Sequence, residues 1–385
     1  MKKPDLSHYE FSGHSAGKVE DLKRLGKAEK ESMRMAGFDA EEKGTSASFV
    51  QIDHDNAFCK SYNPGVEILP LGLAMHMHEG LADYRWRLLK PEKDEYTRMA
   101  ADNPHGGYVI RVKKGVRLDQ PIQSCLMMHT NNVGQNVHNI VIIEEGAEAH
   151  ILSGCTTTEA DQSAAHIGIS EFYVEKNASL TFTMVHNWGE KVDVRPRSAG
   201  QVEAGGIFQS NYISLKPVRN LQMYPSITMK GASSISRFNS VIVATEGTYM
   251  DVGNRVILDA PDTRTEIISH AIASGGHIVA RGHIQANHAP SKGHLECQGL
   301  LLNKGIIQAI PELDGRAEGA ELSHEAAVGK IAREELDYLM IRGLSEEEAS
   351  SAIIRGFLDI DIMGLPNELQ AEIQQAISET EKSML

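Results

Sequence analysis

The sequence predicts a mostly β protein with helical segments at both ends. Apolar runs such as Ile140 to Ile143 are typical of buried strands, and the alternation of Leu180, Phe182 and Met184 is typical of half-buried ones. A solenoid suits a chain with 34 glycines and only 5% aromatic residues, because its stacked rungs bury one continuous core. A β-sandwich or barrel also has evenly spaced short strands, so the strand pattern alone leaves these architectures open.

Turn markers support rungs of about 20 to 30 residues. They recur through the β region at Glu145–Gly146, Lys176–Asn177, Gly205–Gly206, Lys230–Gly231, Glu246–Gly247 and Gly275–Gly276.

The pattern divides the chain into three regions. Residues 1–46 are predicted to be an N-terminal helical or extended segment, with a helix from Val19 to Met35. Residues 47–310 are predicted to be the β core, with a helical excursion at 80–103 that packs on its outside. Residues 311–385 are predicted to be a C-terminal helical module.

Three helices are predicted in this module. Ser323 N-caps the first helix, which ends at Gly343. Ser345 and Glu348 form a capping box for the second helix, and the third helix follows Pro366. The apolar positions of the first helix have a helical period: Val328, Ile331, Ala332, Leu336, Leu339 and Met340.

The net charge of −14 argues against a general nucleic-acid binder, which needs a basic surface to neutralise phosphates. Residues 312–385 hold 17 acidic side chains and 6 basic ones, so most of the excess lies in the predicted helical module. Such a surface is either a solvated helical face or an acidic face that attracts a basic partner.

The composition predicts a cytoplasmic protein with no membrane span. No window approaches the 18 or so apolar residues of a transmembrane helix, and the first residues lack the apolar stretch of a signal peptide. The four cysteines are Cys59, Cys125, Cys155 and Cys297. They are too sparse for a disulfide scaffold, and no CxxC pair forms a closed zinc site, so we expect reduced thiols.

One combination of residues suggests metal chemistry. Cys297 is followed, about one rung further along the chain, by His324 and Glu325, and thiolate, imidazole and carboxylate are ligands for iron or zinc. This spacing places Cys297 beside His324 on the adjacent strand, about 5 Å away. The set is incomplete, which suits a cluster that must be handed on. In the alternative interpretation Cys297 is a small buried apolar residue and Glu325 interacts with the helix dipole.

Three other motifs are weaker. His76 and His78, followed by Glu79, resemble the metal box of a cupin, which gives the alternative of a cupin-like metal-dependent enzyme. The segment Gly13 to Glu20 departs from a phosphate-binding loop in spacing and in Val19, so nucleotide hydrolysis is not expected. Five histidines before Cys297 line either a solenoid or an interface: His270, His277, His283, His288 and His294.

Several segments in this order resemble the SufB/SufD scaffolds of iron–sulfur cluster assembly, and the SufB branch more closely. They are "GGYVIRVKKGV" (106–116), "EEGAEAHILSGC" (144–155), "VHNW" (185–188), "ECQGLLLNKG" (296–305), "SHEAAVGKI" (323–331) and "LMIRGLSEEEA" (339–349). The resemblance covers roughly residues 50 to 360.

This resemblance implies a right-handed parallel β-helix with a C-terminal helical module that docks a SufC-type ABC ATPase. It also implies a non-enzymatic scaffold that holds a transient iron–sulfur cluster near the interface with a second scaffold chain. By matching motif, Cys297 is the essential thiol, Glu325 is its acidic partner, and His324 lies at the interface. Cys155 matches a cysteine implicated in accepting sulfur from a donor, and apo-proteins would receive the product.

The chain departs from the family pattern at its N-terminus. Many SufB members carry a cysteine cluster in a longer N-terminal region, whereas no cysteine precedes Cys59 here. A homodimer is therefore expected, with a SufD-like heterodimer as the alternative. A β-helix carbohydrate enzyme is a third possibility, but no cleft lined by Asp and Arg is evident in the sequence.

Overall fold

The core of the protein is a β-helix built from two parallel sheets. The computed structural model describes residues 3–15, 17–104 and 106–358. From the fifth strand onward the chain passes alternately between the two sheets, with the tenth and eleventh strands, and again the thirteenth and fourteenth, as successive strands of one sheet, and it coils through about eight turns. Parallel pairing of strands one turn apart is the arrangement of a solenoid, so the β-helix prediction is confirmed.

The strands and helices are bounded as follows. The α-helices are α1 (Lys27–Met35), α2 (Leu71–Met77), α3 (Glu95–Asp102), α4 (Arg333–Ile341) and α5 (Glu346–Leu358). The first eleven strands are β1 (Ala47–Ile52), β2 (Asp55–Ser61), β3 (Val66–Pro70), β4 (Tyr108–Val112), β5 (Ile122–Met128), β6 (Val133–Ile143), β7 (Glu148–Thr157), β8 (Ala164–Val174), β9 (Ser179–Asn187), β10 (Val192–Val194) and β11 (Arg197–Val202). The others are β12 (Ile207–Ser214), β13 (Asn220–Met223), β14 (Ser226–Met229), β15 (Ile235–Thr245), β16 (Tyr249–Leu258), β17 (Thr263–Ser274), β18 (His277–Ala286), β19 (Ser291–Leu302), β20 (Ile306–Gly315) and β21 (Ala320–Gly329).

In the described part of the chain, the first sheet has the order β2-β1-β5-β7-β9-β12-β15-β17-β19-β21. The second runs β10-β13-β16-β14-β11-β8-β6-β4-β3 and is extended from β16 by β18 and then β20. Thr263 is paired with Ser291 on the next rung, and Val133 with Ala164. The rungs are therefore at or slightly above the upper end of the predicted length.

The core lies between the sheets, because alternate residues of every strand point inward and paired parallel strands keep the same alternation. Phe172, Phe182, Phe208 and Phe238 form one column of core rings with centroid separations of 4.8, 5.5 and 5.8 Å. The few aromatic residues are thus concentrated where successive rungs stack.

Most of the predicted turn markers adopt left-handed backbone conformations. Gly146 has φ +68°, Asn177 +57° and Gly205 +66°, values that favour glycine and asparagine. A Cβ atom on Gly205 would lie 2.3 Å from Oδ1 of Asn177, so these turns also pack closely on one another.

The N-terminal end of the β-helix is closed. β1 and β2 form an antiparallel hairpin, and β3 pairs antiparallel with β4 although α2 and α3 lie between them in the chain. The N-terminal segment covers the outer face of the first sheet, where Leu22, Met33 and Phe38 pack on Val50 and Cys125. The predicted helix is confirmed from Lys27 onward, and a short 3-10 turn at Leu22–Arg24 replaces its first part.

The helical excursion at 80–103 is confirmed as a strap on the outer face of the second sheet. It contains 3-10 turns at Glu79–Tyr84 and Pro91–Lys93, followed by α3, which Asp94 caps. The fully buried carboxylate of Glu171 accepts hydrogen bonds from the backbone N–H groups of Trp86 and Leu88, both 2.6 Å long. These contacts fix the strap to β8.

The prediction that a helix starts at Ser323 is wrong. Residues 320–329 form β21, which pairs along its whole length with β19, and the β structure continues past the predicted boundary at 310. Non-local hydrogen bonding to β19 overrides the local helical pattern, so the first helix, α4, starts only at Arg333.

The rest of the helical prediction is confirmed in part. Gly343 has φ +101° just after α4, as expected at a helix end. Ser345 and Glu348 form the predicted capping box, because the Ser345 hydroxyl accepts from the N–H of Glu348 and the Glu348 carboxylate accepts from the N–H of Ser345. The helix predicted after Pro366 lies outside the described residues.

Candidate functional site

Cys297 lies on β19, in the last rung before the C-terminal end of the β-helix. Its side chain points inward beside Leu295, both belong to the main core cluster, and Cys297 is 4% exposed. Burial, and secondarily the carboxylate of Glu296, raise the pKa of the Cys297 thiol to about 11. The apo protein therefore holds a protonated thiol at neutral pH, and a metal must displace that proton to bind.

His324 and Glu325 lie on β21, a strand instead of the predicted first turn of a helix. Cys297 is paired with Ala326, whereas His324 is paired with Leu295. The prediction that His324 lies directly beside Cys297 is therefore wrong by two positions along the strand. From the strand spacing and the rise per residue, their Cα atoms are roughly 8 Å apart.

The three residues do not share one face of the sheet. Paired parallel strands alternate in phase, so Cys297, His324 and Ala326 point toward the interior, while Glu325 points outward beside Glu296. His324 is half-buried, and its Nε2 atom is buried without a hydrogen-bond partner among the described residues. Cys297 and His324 can thus serve one interior ligand, whereas Glu325 in the same chain faces away from it.

A second group of polar residues surrounds Glu325 on the outer face. Glu296 lies directly opposite Glu325 and accepts a 2.5 Å hydrogen bond from the amide of Gln298. His294 hydrogen-bonds the Ser323 hydroxyl at 2.8 Å through Nδ1. Two carboxylates opposite each other on neighbouring strands repel, which favours a cation between or near them.

This end of the β-helix is an open edge. β21 pairs with β19 and β20 with β18, and no other described strand pairs with the outer side of either. Both strands are largely exposed, including Ile306 at 55% and Leu313 at 39%. An exposed strand with apolar side chains is a template for pairing with another chain.

Cys155, the predicted sulfur acceptor, lies on β7 far from Cys297. It faces the interior and is fully buried, and burial raises the pKa of its thiol well above the usual range. Five strand-to-strand steps separate β7 from β19, a distance of about 24 Å. The structure therefore does not bring the two cysteines together.

A cavity of ≈ 60 Å³ adjoins Cys155 inside the β-helix. Its polar lining includes His166, His186 and Tyr212, and the Tyr212 hydroxyl is 2.8 Å from Nδ1 of His186. Burial lowers the pKa of His166 to about 4, and burial together with the nearby His166 holds the pKa of His186 well below its usual value, so both are neutral at pH 7. Next to them, the Trp188 indole N–H has no partner among the described residues.

The sequence analysis did not predict this cavity. The segment "VHNW", which contains His186 and Trp188, was the available signal, but their positions beside Cys155 follow from strand pairing across the rungs.

The cupin-like motif does not have the predicted geometry. His76 lies in α2 and His78 caps the end of that helix, so they are not alternate residues of one strand. His78 instead contacts the carboxylate of Glu67 at 2.6 Å. The alternative of a cupin-like enzyme loses its structural basis at this position.

The histidines before Cys297 are dispersed. His270 and His294 lie on strands of the first sheet, and His277 and His283 lie on β18 of the second. Among the described residues, no three His, Cys, Asp or Glu side chains are grouped closely enough to hold a metal ion. None of the helices described has the length and apolar character needed to span a membrane.

Comparisons with known proteins relate this chain to iron–sulfur cluster assembly proteins. A family model described as "SUF system FeS cluster assembly, SufBD core domain" matches residues 126–357. An Archaeoglobus fulgidus protein named "Iron-sulfur cluster assembly SufBD family protein" is 47% identical over 359 residues, which cover 93% of this chain and 96% of its own.

Two further relatives extend the comparison. A Methanothermobacter thermautotrophicus protein of the same name is 41% identical over 389 residues, covering 99% of this chain and 95% of its own. "Iron-sulfur cluster assembly protein SufB" of Bacillus subtilis is 29% identical over 311 residues, covering 79% of this chain and 66% of its own.

Proposed function

This chain belongs to the SufB/SufD family of iron–sulfur cluster assembly proteins, and we propose that it is a cytoplasmic scaffold that builds a cluster at its open edge. The cluster is transient cargo, received as iron and sulfur and passed to apo-proteins. The chain carries no ATPase of its own in this proposal and works with a SufC-type ABC ATPase. One observation supports this proposal most directly. The Cys297 thiol on β19 and the His324 imidazole on the exposed strand β21 lie on the same interior face of the sheet.

A second copy of the chain completes the site. Pairing the exposed edges of β20 and β21 across a two-fold axis brings two Cys297 and two His324 side chains toward one interface. Glu325 points outward in its own chain, so its role is in a second-chain contact or in holding iron before it reaches Cys297. Partial ligand sets from two chains hold a cluster less permanently than four thiolates in one chain, which suits transfer.

The ATPase docks on the helices that follow β21. No residue of α4 is buried, and Tyr338 and Ile341 are 57% and 86% exposed on it. The first turns of α4 and α5 are acidic, which favours a basic partner surface. Only residues 330–332 separate β21 from α4, so movement of a docked subunit acts directly on the strand that carries His324.

Cys155 accepts sulfur in this proposal. Its thiolate attacks the outer sulfur of a donor's cysteine persulfide, the donor's S–S bond breaks, and the donor's cysteine thiolate leaves. A persulfide adds one sulfur atom to Sγ, and the adjoining cavity has space for it without displacing the core. The Tyr212 hydroxyl lines this cavity and can hydrogen-bond the added sulfur. Because Cys155 lies about 24 Å from Cys297, the sulfur must move before a cluster forms.

Anaerobic reconstitution with ferrous iron and sulfide tests the scaffold function. The expected result is visible charge-transfer absorbance together with a dimer whose native mass includes iron and sulfide. Addition of a SufC-type ATPase with ATP is expected to speed transfer of the cluster to an apo-ferredoxin. A protein that binds no iron and sulfide under these conditions, while remaining folded, contradicts the proposal.

A further inference from the structure

A groove of ≈ 560 Å³ lies between the strap and the outer face of the second sheet, away from both cysteine sites. The strap contributes Lys90 and Lys93, and β14 contributes Ser226 and Thr228. An apolar wall is formed by Leu88, Leu89 and Ala199.

The basic side chains at this groove lack acidic partners. Among the described residues, neither Lys90 nor Lys93 has an ion pair, whereas nearby Arg197 is paired with Asp94 at 2.5 Å. Partial burial of the ammonium group, together with the charges of Arg197 and Arg255, lowers the pKa of Lys93, and Asp94 offsets this only in part. Burial is the main cause of this shift, and the two neighbouring guanidinium groups add to it.

Arg255 extends the basic group across the sheet. It lies directly opposite Ser226 on the neighbouring strand β16. Its guanidinium donates to the amide oxygen of Gln285 at 2.8 Å, and its Nε atom is buried with no partner among the described residues. Arg255 is paired with His283 on β18, which is paired with Glu312 on β20, so the first acidic residue at this register position lies two strands away.

The hydroxyl groups of Ser226 and Thr228 are also without partners in the described part of the chain. They are alternate residues of β14 on the same face, so both point toward the groove, with Cα atoms about 6.6 Å apart. Two ammonium groups and two hydroxyls therefore line the groove, and the Arg255 guanidinium lies on the neighbouring strand beside Ser226. Glu92 is the single acidic residue among those that line it.

We propose that this groove binds the phosphate group of a small phosphorylated organic molecule. Lysine, arginine and hydroxyl side chains commonly donate hydrogen bonds to bound phosphate groups. The double negative charge of a phosphate also matches the excess positive charge of this groove. The volume exceeds that of a phosphate alone and lies within the range of ligand pockets. The organic part of the ligand packs on Leu88, Leu89 and Ala199.

Binding joins the strap to the sheet, since Lys90 and Lys93 come from the strap while Ser226 and Thr228 come from β14. A ligand held by both raises the melting temperature and slows hydrogen exchange in residues 86–102. This effect does not depend on the cluster site or on the proposed scaffold function.

Calorimetric titration with inorganic phosphate and with phenyl phosphate tests the proposal on the full chain. We expect saturable binding of both at millimolar concentrations or below, with phenyl phosphate the tighter because its ring reaches the apolar wall. Lys93→Ala and Arg255→Gln are each expected to weaken binding at least tenfold. Lys114→Ala is the matched control, since Lys114 is exposed and paired with Glu145 at 2.6 Å elsewhere, and it should bind as the wild type does.

The proposal is overturned if neither compound binds, or if all three variants bind alike. Circular dichroism of each variant shows whether the fold is retained. Should Arg255→Gln be unfolded, Ser226→Ala replaces it, because Ser226 is only partly buried and its hydroxyl supports no other described group.

Discussion

The two ends of the β-helix differ in how their edges are covered. At the N-terminal end all six residues of β1 are buried, since β2 pairs with its edge and the N-terminal segment packs over its outer face. At the C-terminal end β21 is exposed along most of its length, and β20 is as open as β21. The N-terminal end finishes in antiparallel strand pairs, whereas the C-terminal end stops at parallel strands whose outer edges no other described strand covers.

Each end also contains a buried cysteine. Burial raises the pKa of Cys125 to about 12 and that of Cys297 to about 11. Cys125 is packed among Met33, Val50 and Met127 under the N-terminal segment. Cys297 instead lies one strand from an unpaired edge, with a histidine on the same interior face. The two thiols are thus buried to a similar degree, and their surroundings distinguish them.

The largest expected effect is that of Cys297→Ala, which removes the thiol at the open end. We expect reconstituted protein to lose its visible absorbance and more than nine-tenths of its bound iron and sulfide. The fold should persist, because a small apolar residue replaces a small apolar one. Iron and sulfide analysis after desalting measures this.

Cys125→Ala is the matched control at the closed end, and it should reconstitute normally. Normal iron content in Cys297→Ala would place the cluster elsewhere in the protein.

The second effect concerns the open edge itself. Replacing both Ile306 and Leu313 by Lys places charges on exposed apolar positions of β20 and should convert the proposed dimer to a monomer. Native mass spectrometry and light scattering report the change. Ile207→Lys and Ile235→Lys alter residues exposed to a similar degree (42% and 41%) in the middle of the β-helix. If these controls dissociate the protein equally, the interface does not lie at the C-terminal edge.

The third effect concerns the closed end. Met33 is fully buried between α1 and the first sheet, so Met33→Ala is expected to lower the free energy of unfolding by about 2–4 kcal/mol. Leu313→Ala, at the open edge of a single chain, should cost less than about 1 kcal/mol. Urea denaturation of monomeric protein compares the two. Equal losses would mean that the open edge is as well packed as the closed one.

The smallest effect is expected for Glu325→Ala. Glu325 is exposed on the outer face, so folding should be unchanged while retention of the cluster falls about 2- to 10-fold. The rate of iron loss to a chelator measures retention. Glu321 is an exposed residue of the same strand, and its carboxylate forms an ion pair with Lys292. The Glu321→Ala variant should lose iron to the chelator at the wild-type rate. Indistinguishable rates in the two variants would exclude a role for Glu325.

The sequence by itself determined the features that depend on neighbouring residues. The turn glycines, the capping box of Ser345 and Glu348 and the helical strap follow from local conformational preferences. The alternation of apolar residues identified the β core, and the motif around Cys297 gave the prediction of a metal site at this position.

Only the tertiary structure decided the register between rungs. Cys297 is paired with Ala326 because the turn between β19 and β20 and the one before β21 together set the length of this rung. That length depends on hydrogen bonds between residues far apart in sequence, and the same bonds made a strand of the segment after Ser323. Neighbouring residues of a strand point to opposite faces of the sheet, so a shift of the register by one residue would exchange the two faces. The observed register places His324 on the same face as Cys297, and Glu325 on the opposite face.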